Sequence, residues 1–507
     1  MNTGARLMVA SWTAMALAGC SVAMSGSSDP DTGQHTVTAG ARVGGGPAGT
    51  QQGLDRTRVP EVGPPATLEL PEIQDYTLEN GLRVVLVERH ALPLVSLQLQ
   101  FGGGASAHSA SKAGLAALTA DMIDEGTASR SALEIADAVD LLGATLTSAA
   151  GYDASLVRLG VLRARFPEAL AVLADVVMRP SFPEAELDRV RRERLARVVQ
   201  RSDIPAALAD DAFAEVLYGS GHPYGAPLLG TEESLQALTR DDIVAFHGAR
   251  YAPGQGTLVV AGDVTHAALD SLLAQAFAGW SGRGADPAPL PAAASGAQRT
   301  IYIVDKPGAA QSEVRVGRVS VARDTDAYYP LTVLNSVLGG SFTSRLNMKL
   351  REEKGYTYGA GSFLDMRRAP GPFLATSAVA TPVTDSAVVD FVREIARMGE
   401  EAVPTDELTR AQNYLALRLP QRFESLDDVV QRLAELAFYD IPLGFYEGYV
   451  AGVEGVDAQT IVTTARNLLD PGRMAVVIAG DRATIEEPLK ALGLGPVVVL
   501  DGRPVSE

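Results

Sequence analysis

An arginine and a tyrosine, Arg351 and Tyr358, are the residues of this 507-residue chain whose types and spacing could do chemistry on a peptide. The pattern predicts a helix from about Ser344 to Lys354, because Gly355 follows the last periodic residue and basic residues fill the last turn. Arg351 then lies at the helix end and Tyr358 at the start of the next strand. Together a guanidinium and a phenol could donate to one peptide carbonyl and bind it more tightly as it becomes an oxyanion. The simpler interpretation is an exposed arginine in a charged helix end and a tyrosine packed on a sheet.

The sequence around this pair favours the chemical interpretation. Gly339 and Gly340 begin the segment Gly-Gly-x-Phe-x-Ser-Arg-Leu, and Leu-Arg-Glu-x-x-Gly-x-x-Tyr follows it as far as Tyr358. These segments resemble the second half of the pitrilysin/insulinase/mitochondrial processing peptidase family of zinc metallopeptidases, over roughly residues 70–495. The resemblance implies that Arg351 and Tyr358 are catalytic residues that hold the substrate backbone near the scissile bond. It also implies that Gly339 and Gly340 shape a substrate-binding loop, and that the metal site lies in the first half.

The corresponding stretch of the first half, residues 114–127, keeps the frame of the family's metal-binding helix without its chemical groups. The family carries His-x-x-Glu-His, in which two histidines on one helical face bind zinc and the glutamate serves as general base. Here Gly-Leu-Ala and Gly-Thr still flank the motif, but its three chemical positions are Ala117, Ala120 and Asp121. Alanine offers no lone pair, and one carboxylate cannot hold zinc alone, so we expect no metal or other cofactor in this chain.

The family's third metal ligand is a glutamate on a later helix, and its place falls near Arg197. Glu193 lies one turn away, but a third ligand without the first two is of no use. The six histidines include no pair at helical spacing. His222, in a His-Pro-Tyr-Gly segment, is expected to have a structural role.

The elements around these positions predict an α+β fold made of two homologous domains. The spacing from Pro253 to Gly262 recurs from Pro471 to Gly480, which indicates a duplication. Alternation along 95–101 predicts a half-buried strand, and a helix is expected over 112–125. We expect each domain to be a mainly antiparallel sheet covered by helices, the two facing each other as half of a peptidase chamber. The predicted domains are 66–283 and 299–501, joined by a Pro/Ala/Gly-rich linker at 284–298.

The N-terminal residues resemble a bacterial lipoprotein signal. Arg6 precedes a short apolar segment and then Leu-Ala-Gly-Cys, so residues 1–19 are the expected signal peptide and Cys20 the lipidated first residue. An ordinary export signal with a chance cysteine is the alternative. Cys20 is the only cysteine, which excludes an intrachain disulfide. Residues 20–65 are polar and Gly/Ser/Thr/Pro-rich, as in a flexible tether. Ser21 gives no Asp-type retention signal, which favours the periplasmic side of the outer membrane.

A formal net charge of −18 argues against a nucleic-acid surface. The chain lacks the metal ligands and keeps the Arg/Tyr pair, so the resemblance implies a non-catalytic, substrate-positioning subunit of a heterodimeric zinc peptidase. Its partners would be a metal-bearing homologue that carries His-x-x-Glu-His, a peptide substrate, and a membrane through the lipid on Cys20. Two alternatives stay open: a peptide-binding or chaperone-like protein, and a scaffold subunit with no proteolytic role.

Overall fold

The structure is a computed structural model that describes residues 63, 71–286, 288–294 and 296–500. The expected signal peptide, the lipidation position Cys20 and nearly all of the expected tether lie outside these residues. Within them, no helix combines the length and apolarity that a membrane span requires.

In the described residues of the first half, six strands form one sheet in the order β1-β2-β6-β3-β5-β4. The strands are β1 (Ile73–Thr77), β2 (Arg83–Glu88), β3 (Leu94–Gly102), β4 (Thr145–Ala150), β5 (Ala154–Leu162) and β6 (Gly256–Gly262). The α-helices are α1 (Leu115–Met122), α2 (Ala132–Leu141), α3 (Phe166–Met178), α4 (Glu184–Ser202), α5 (Pro205–Tyr218), α6 (Glu232–Ala237), α7 (Arg240–Arg250) and α8 (His266–Ala276).

The second half repeats this plan, with a sheet in the order β12-β7-β11-β8-β10-β9. Its strands are β7 (Thr300–Asp305), β8 (Gln311–Val319), β9 (Ala360–Leu364), β10 (Pro372–Ala380), β11 (Ala475–Gly480) and β12 (Val497–Leu500). Its α-helices are α9 (Tyr328–Leu338), α10 (Arg345–Asn347), α11 (Thr384–Glu400), α12 (Thr405–Leu417), α13 (Leu426–Phe438), α14 (Tyr449–Glu454), α15 (Ala458–Leu468) and α16 (Arg482–Ala491).

Both sheets are mixed and mainly antiparallel, which confirms the predicted α+β class. The parallel pairs are β2 with β6 in the first sheet, and β7 with both β11 and β12 in the second. The predicted duplication is present as α7 followed by β6 and as α15 followed by β11, each strand lying inside its sheet. Together the two halves form one compact unit.

Strand β3 is buried on both faces, so the expectation of a half-buried strand is wrong. Its polar residues Ser96, Gln98 and Gln100 are 4–6% exposed. They are covered by α13, which comes from the second half of the chain: the Gln100 side-chain amide donates to the Ala434 carbonyl oxygen at 2.7 Å. The polar alternation therefore marks a contact between the halves and not a solvent face.

The two halves cover each other's sheets. As α13 of the second half covers the first sheet, α5 of the first half covers the second sheet. Phe213 and Leu217 of α5 pack with Val477 of β11 in one apolar cluster. At its edge Arg315 of β8, 5% exposed, donates from Nε to Asp210 at 2.6 Å. One face of each sheet is thus covered by a helix of the other half, and this packing fixes the two halves relative to each other.

The first-half helix α1 is shorter than the predicted 112–125. It begins only at Leu115, after a 3₁₀ turn over Ala110–Lys112. The break lies at Gly114, whose φ of +87° is a left-handed conformation that favours glycine. A Cβ there would also lie 2.9 Å from the Cα of Gly230. The glycine of the Gly-Leu-Ala frame is therefore needed for the backbone path that leads into α1.

Candidate functional site

The Arg/Tyr segment begins where α9 ends. The N–H groups of Gly339 and Gly340 both donate to the Asn335 carbonyl oxygen, at 2.9 and 2.6 Å. Ser344 is the N-cap residue of α10, as predicted for the helix start. The helix ends at Gly355, whose φ is +64° and whose N–H donates to the Arg351 carbonyl oxygen at 3.0 Å.

Between those ends the helix widens into a π-helical turn over Met348–Glu353, which contains Arg351. The sequence predicts one continuous helix and gives no sign of this turn. Single π turns inside helices are rare, and those that do occur are often found at functional sites.

Arg351 is held at the surface by an aromatic ring. Its guanidinium carbon lies 4.8 Å from the centroid of Phe342, which is itself 60% exposed. Its Nε lies 3.3 Å from a Glu352 carboxylate oxygen, and the Arg351 side chain is 39% exposed. Within the described part of the chain, the two terminal nitrogens of Arg351 make no hydrogen bond. They are donors available to a ligand.

Tyr358 does not lie on the strand, because β9 begins two residues later at Ala360. The Tyr358 side chain is 93% exposed, so the interpretation of a tyrosine packed on a sheet is also wrong. The turn below it is well braced: the Ser377 hydroxyl of β10 donates to the Gly359 carbonyl oxygen at 2.9 Å and lies 2.9 Å from the Thr357 hydroxyl. A firmly held backbone thus presents a phenol that has no hydrogen-bond partner in the described residues.

Asn347, a residue that the sequence does not single out, connects the parts of the site. Its side-chain amide donates to the Phe342 carbonyl oxygen at 2.7 Å, and its Oδ1 accepts from the Ala360 N–H at 3.3 Å. The buried side chain thereby ties the segment below Arg351 to the strand that follows Tyr358. A buried asparagine four residues before the arginine is too weak a sequence signal to reveal this role.

The two glycines expected to form a substrate loop have different environments. Gly339 is buried, and its carbonyl oxygen accepts from the Ser362 N–H at 3.1 Å. A Cβ on Gly339 would lie 2.3 Å from that nitrogen. Glycine is therefore required here, because the two backbone segments approach too closely for any side chain. Of the two glycines, only Gly340 is exposed.

In the first half, Ala117, Ala120 and Asp121, the positions compared with the family's metal-binding motif, lie on α1. Ala120 is 1% exposed, so packing closes the position of the general base. The Asp121 carboxylate lies 2.5 Å from Nη1 of Arg194 in α4, an arginine whose side chain is only 4% exposed. Nη2 of Arg194 also donates to the carbonyl oxygens of Leu229 and Leu228, at 3.0 and 3.3 Å.

The residue of α4 that reaches Asp121 is Arg194. The place of the third ligand near Arg197 stays a prediction. Arg197 and Glu193 are exposed, and the Glu193 carboxylate accepts from Arg189 at 2.8 Å. The buried face of α4 consists of Leu187, Val190 and Arg194, which recur at helical spacing.

These residues do not fit a zinc ion. The three motif positions supply one carboxylate, and a guanidinium already neutralises it. Within the described ranges, no group of three or more His, Cys, Asp or Glu side chains is arranged to hold a metal. Close by, burial raises the pKa of the Asp124 carboxyl to about 6, with Glu125 and Asp121 adding to the rise.

The fold and the site together define a class of protein: a two-domain α+β homologue of metallopeptidases in which α1 carries Ala117, Ala120 and Asp121. The comparison with known families agrees. Residues 83–232 match the family Insulinase (Peptidase family M16), and residues 237–415 match the Peptidase M16 inactive domain. The chain is thus an M16 family zinc protease homologue with an insulinase N-terminal domain and an inactive C-terminal domain.

Relatives and solved structures cover most of the chain. An uncharacterized zinc protease of Mycobacterium leprae is 28% identical over 389 residues, 76% of this chain and 86% of that protein. One from Mycobacterium tuberculosis is 28% identical over 426 residues, 82% and 95% of the two chains. The crystal structure of a peptidase M16 inactive domain from Pseudomonas fluorescens has a TM-score of 0.75 at 27% identity, covering 80% of this chain and 98% of that one. A protease from Helicobacter pylori shares the fold, with a TM-score of 0.74 at 19% identity over 81% of this chain and all of that one.

Proposed function

We propose that this chain is the non-catalytic, substrate-positioning subunit of a heterodimeric zinc metallopeptidase that acts on peptides in the cell envelope. A homologous partner with His-x-x-Glu-His supplies the zinc and the general base. The observation that carries the proposal is a contrast between the two halves. At the degenerate metal site, Arg194 neutralises Asp121, whereas Arg351 and Tyr358 offer donors that no described residue engages.

The chemistry available to Arg351 and Tyr358 is electrostatic. Both donate hydrogen bonds and neither needs to change its protonation state to do so. A peptide carbonyl placed between them would be polarised, and the charge that develops on its oxygen during hydrolysis would be bound more tightly than the neutral carbonyl. The proposed contribution of this chain is therefore to orient the substrate and to stabilise the oxyanion.

The exposure of Tyr358 supports a role within a complex. A phenol that is 93% exposed can adopt several rotamers, so it loses conformational freedom when it binds a ligand. A partner surface or a bound peptide that packs against its ring would supply the missing order. We accordingly expect the pair to act efficiently only when a partner and a substrate are both present.

The cellular location is part of the proposal and rests on the sequence. Cys20 in its lipoprotein-like context would carry the lipid, and the polar residues after it would let the folded body move above a membrane surface. The metal-bearing partner must then be exported as well.

The test is reconstitution with an exported homologue that carries His-x-x-Glu-His, ideally one encoded beside this chain. Each purified subunit and the equimolar mixture are assayed on a library of fluorogenic peptides. We expect cleavage by the mixture and none by either chain alone. Complex formation without cleavage would favour the scaffold function, and binding of peptides by this chain with no complex would favour the chaperone-like function.

A further inference from the structure

We propose that β5, as the floor, and α13, as one wall, form a groove that binds an extended polypeptide with one acidic and one apolar side chain. The inference concerns binding by this chain alone, at a site apart from Arg351 and Tyr358, and does not depend on the proposed function. It starts from a strip of the first sheet that α13 leaves open. Helix α13 packs across β3 and β6, whereas Thr145, Thr147 and Ala149 of the edge strand β4 are exposed.

The floor of the groove consists of residues that alternate along β5 and therefore share one face of the sheet. None of them is fully buried, in contrast to the residues between them. They are Ala154, Leu156, Arg158, Gly160 and Leu162. On the neighbouring strand, Thr147 pairs with Arg158 and shares this face. The next residue, Ser148, points the other way, since its hydroxyl donates to the Ala120 carbonyl oxygen of α1. The groove thus lies on the face of the sheet opposite to α1.

Two cavities follow each other along this floor, and α13 lines both. One, of about 480 Å³, is lined by Gly160 and Leu162 of β5 and by Leu426 of α13. The other, of about 330 Å³, is lined by Arg158 of β5 and by Gln431 of α13. Between them the floor is open, because a Cβ on Gly160 would meet no described atom within 4 Å. The nine residues of β5 span about 30 Å, so the groove is long enough for an extended segment of similar length.

Arg158 provides the smaller cavity with a cation that has no carboxylate partner within the described residues. Its Nε donates to Oε1 of Gln98 at 2.8 Å. No residue in the described ranges accepts from its two terminal nitrogens. These nitrogens can therefore donate to a ligand carboxylate, and such charge-assisted hydrogen bonds are stronger than neutral ones.

The other charged groups of this cavity are already engaged. Asp365 pairs with Arg367 at 2.6 Å, and Glu435 pairs with Arg432 at 3.0 Å. The carboxylate of Asp153 accepts from tyrosine hydroxyls and a backbone N–H. Of the charged side chains that line the cavity, the Arg158 guanidinium is thus the one left for an acidic group of a ligand.

The larger cavity is apolar at its mouth. Leu92, Leu94 and Leu162 line it and are exposed, and Leu94 pairs directly with Leu162 across the two strands. Clustered exposed apolar side chains are typical of interaction sites. The charged residues of this cavity are Arg89, Glu424 and Asp427, which give it no net positive charge to attract a carboxylate. An apolar side chain of the ligand therefore fits this end, and the acidic one fits the end with Arg158.

The spacing of the two ends sets the spacing in the ligand. Arg158 and Leu162 are four residues apart on one strand, or about 13 Å. An extended ligand that lies along β5 has the same rise per residue, and an even spacing keeps both of its side chains on the same face. The ligand should therefore carry its acidic and apolar residues about four positions apart.

The experiment measures binding of two peptides to the purified chain by isothermal titration calorimetry. Both are blocked at their termini, are as long as β5, and consist of serine and threonine with one leucine. About four positions from the leucine, one peptide carries aspartate and the other lysine. Arg158→Gln removes the unpaired cation, and Gly160→Phe fills the middle of the groove. The matched control is Arg393→Gln, because Arg393 is exposed on α11 and lines neither cavity.

We expect the unmodified chain and the Arg393→Gln control to bind the aspartate peptide about tenfold more tightly than the lysine peptide. Arg158→Gln should lose this preference. Gly160→Phe should weaken binding of both peptides without a change in melting temperature. Since a chain of formal net charge −18 repels acidic peptides in general, a preference for aspartate reports the local cation.

Three results would overturn the inference. They are no binding of the aspartate peptide, an Arg158→Gln variant that keeps the preference, and self-association of the unmodified chain in sedimentation velocity that Gly160→Phe abolishes. In the last case a second copy of the chain, and not an extended peptide, occupies the groove. Should Gly160→Phe not fold, the comparison of Arg158→Gln with Arg393→Gln decides.

Discussion

The carboxylate of Asp153 joins the two halves of the molecule, and its removal should destabilise the fold measurably. Asp153 lies in the turn between β4 and β5 and is 8% exposed. It accepts hydrogen bonds from the Tyr224 hydroxyl, from the Arg368 backbone N–H at 2.8 Å and from the Tyr439 hydroxyl at 3.4 Å. Arg368 and Tyr439 belong to the second half, so this carboxylate holds a hairpin and the end of α13 against the first half.

The expected loss follows from these contacts. Hydrogen bonds to a charged group contribute about 1.5–3 kcal/mol each, and the bonds from Tyr224 and Arg368 are the short ones. Asp153→Ala leaves the Tyr224 hydroxyl, on a fully buried side chain, and the Arg368 N–H without this acceptor. Relief from burying a carboxylate offsets part of the loss. The free energy of unfolding should therefore fall by about 2–4 kcal/mol.

The assay is urea-induced unfolding of the purified chain followed by circular dichroism. Asp137→Ala is the matched control, because Asp137 is exposed on α2 and its side chain makes no hydrogen bond within the described residues. We expect the control to stay within about 0.5 kcal/mol of the unmodified protein. An Asp153→Ala variant as stable as the control would refute the claim that this carboxylate fastens the halves together.

Three further predictions concern the site, pH and location. Gly339→Ala should lower the melting temperature, since its Cβ would meet Ser362 N at 2.3 Å, whereas Gly221→Ala has open space and should not. Burial raises the Asp124 pKa to about 6, so the folded state binds this proton more tightly than the unfolded state. Stability relative to Asp124→Asn should therefore rise by ~1–3 kcal/mol as pH falls from 7 to below 5, and a constant difference in unfolding free energy would contradict this. Cys20→Ser should release the protein from membranes in cell fractionation without changing its melting temperature; a variant that stays membrane-bound would exclude the lipid anchor.

Features set by neighbouring residues could be predicted from the sequence. Ser131 and Glu134 form a capping box at the start of α2, as the spacing Ser-x-x-Glu indicates, and Gly355 ends the helix of the site as predicted. These signals are local, because a cap or a left-handed glycine depends on a few adjacent backbone groups. The duplication could be seen for a related reason, since each copy preserves its own internal spacing.

Features that depend on distant segments could not be predicted. The polar side of β3 is typical of a solvent face, but its cover, α13, lies more than three hundred residues later, as the bond from Gln100 to Ala434 shows. The contact of Arg194 with Asp121 depends on the rotation of α4 against α1, which sequence spacing alone does not fix. The turn that carries Tyr358 is braced by Ser377 on another strand, and β9 begins only after it, at Ala360.

The turnover of the reconstituted complex with Tyr358→Phe in this chain tests the central claim most directly. The change removes one hydroxyl and keeps the ring, and no described residue bonds to that hydroxyl, so stability and complex formation should not change. Loss of one donor to an oxyanion typically lowers turnover by about 10²–10³-fold. Arg351→Lys, which keeps the charge but loses the planar donor pair, should also reduce turnover. A fall of that size in an intact complex is the predicted result. Turnover close to that of the unmodified complex for both variants would contradict the account and leave Arg351 and Tyr358 without a part in catalysis.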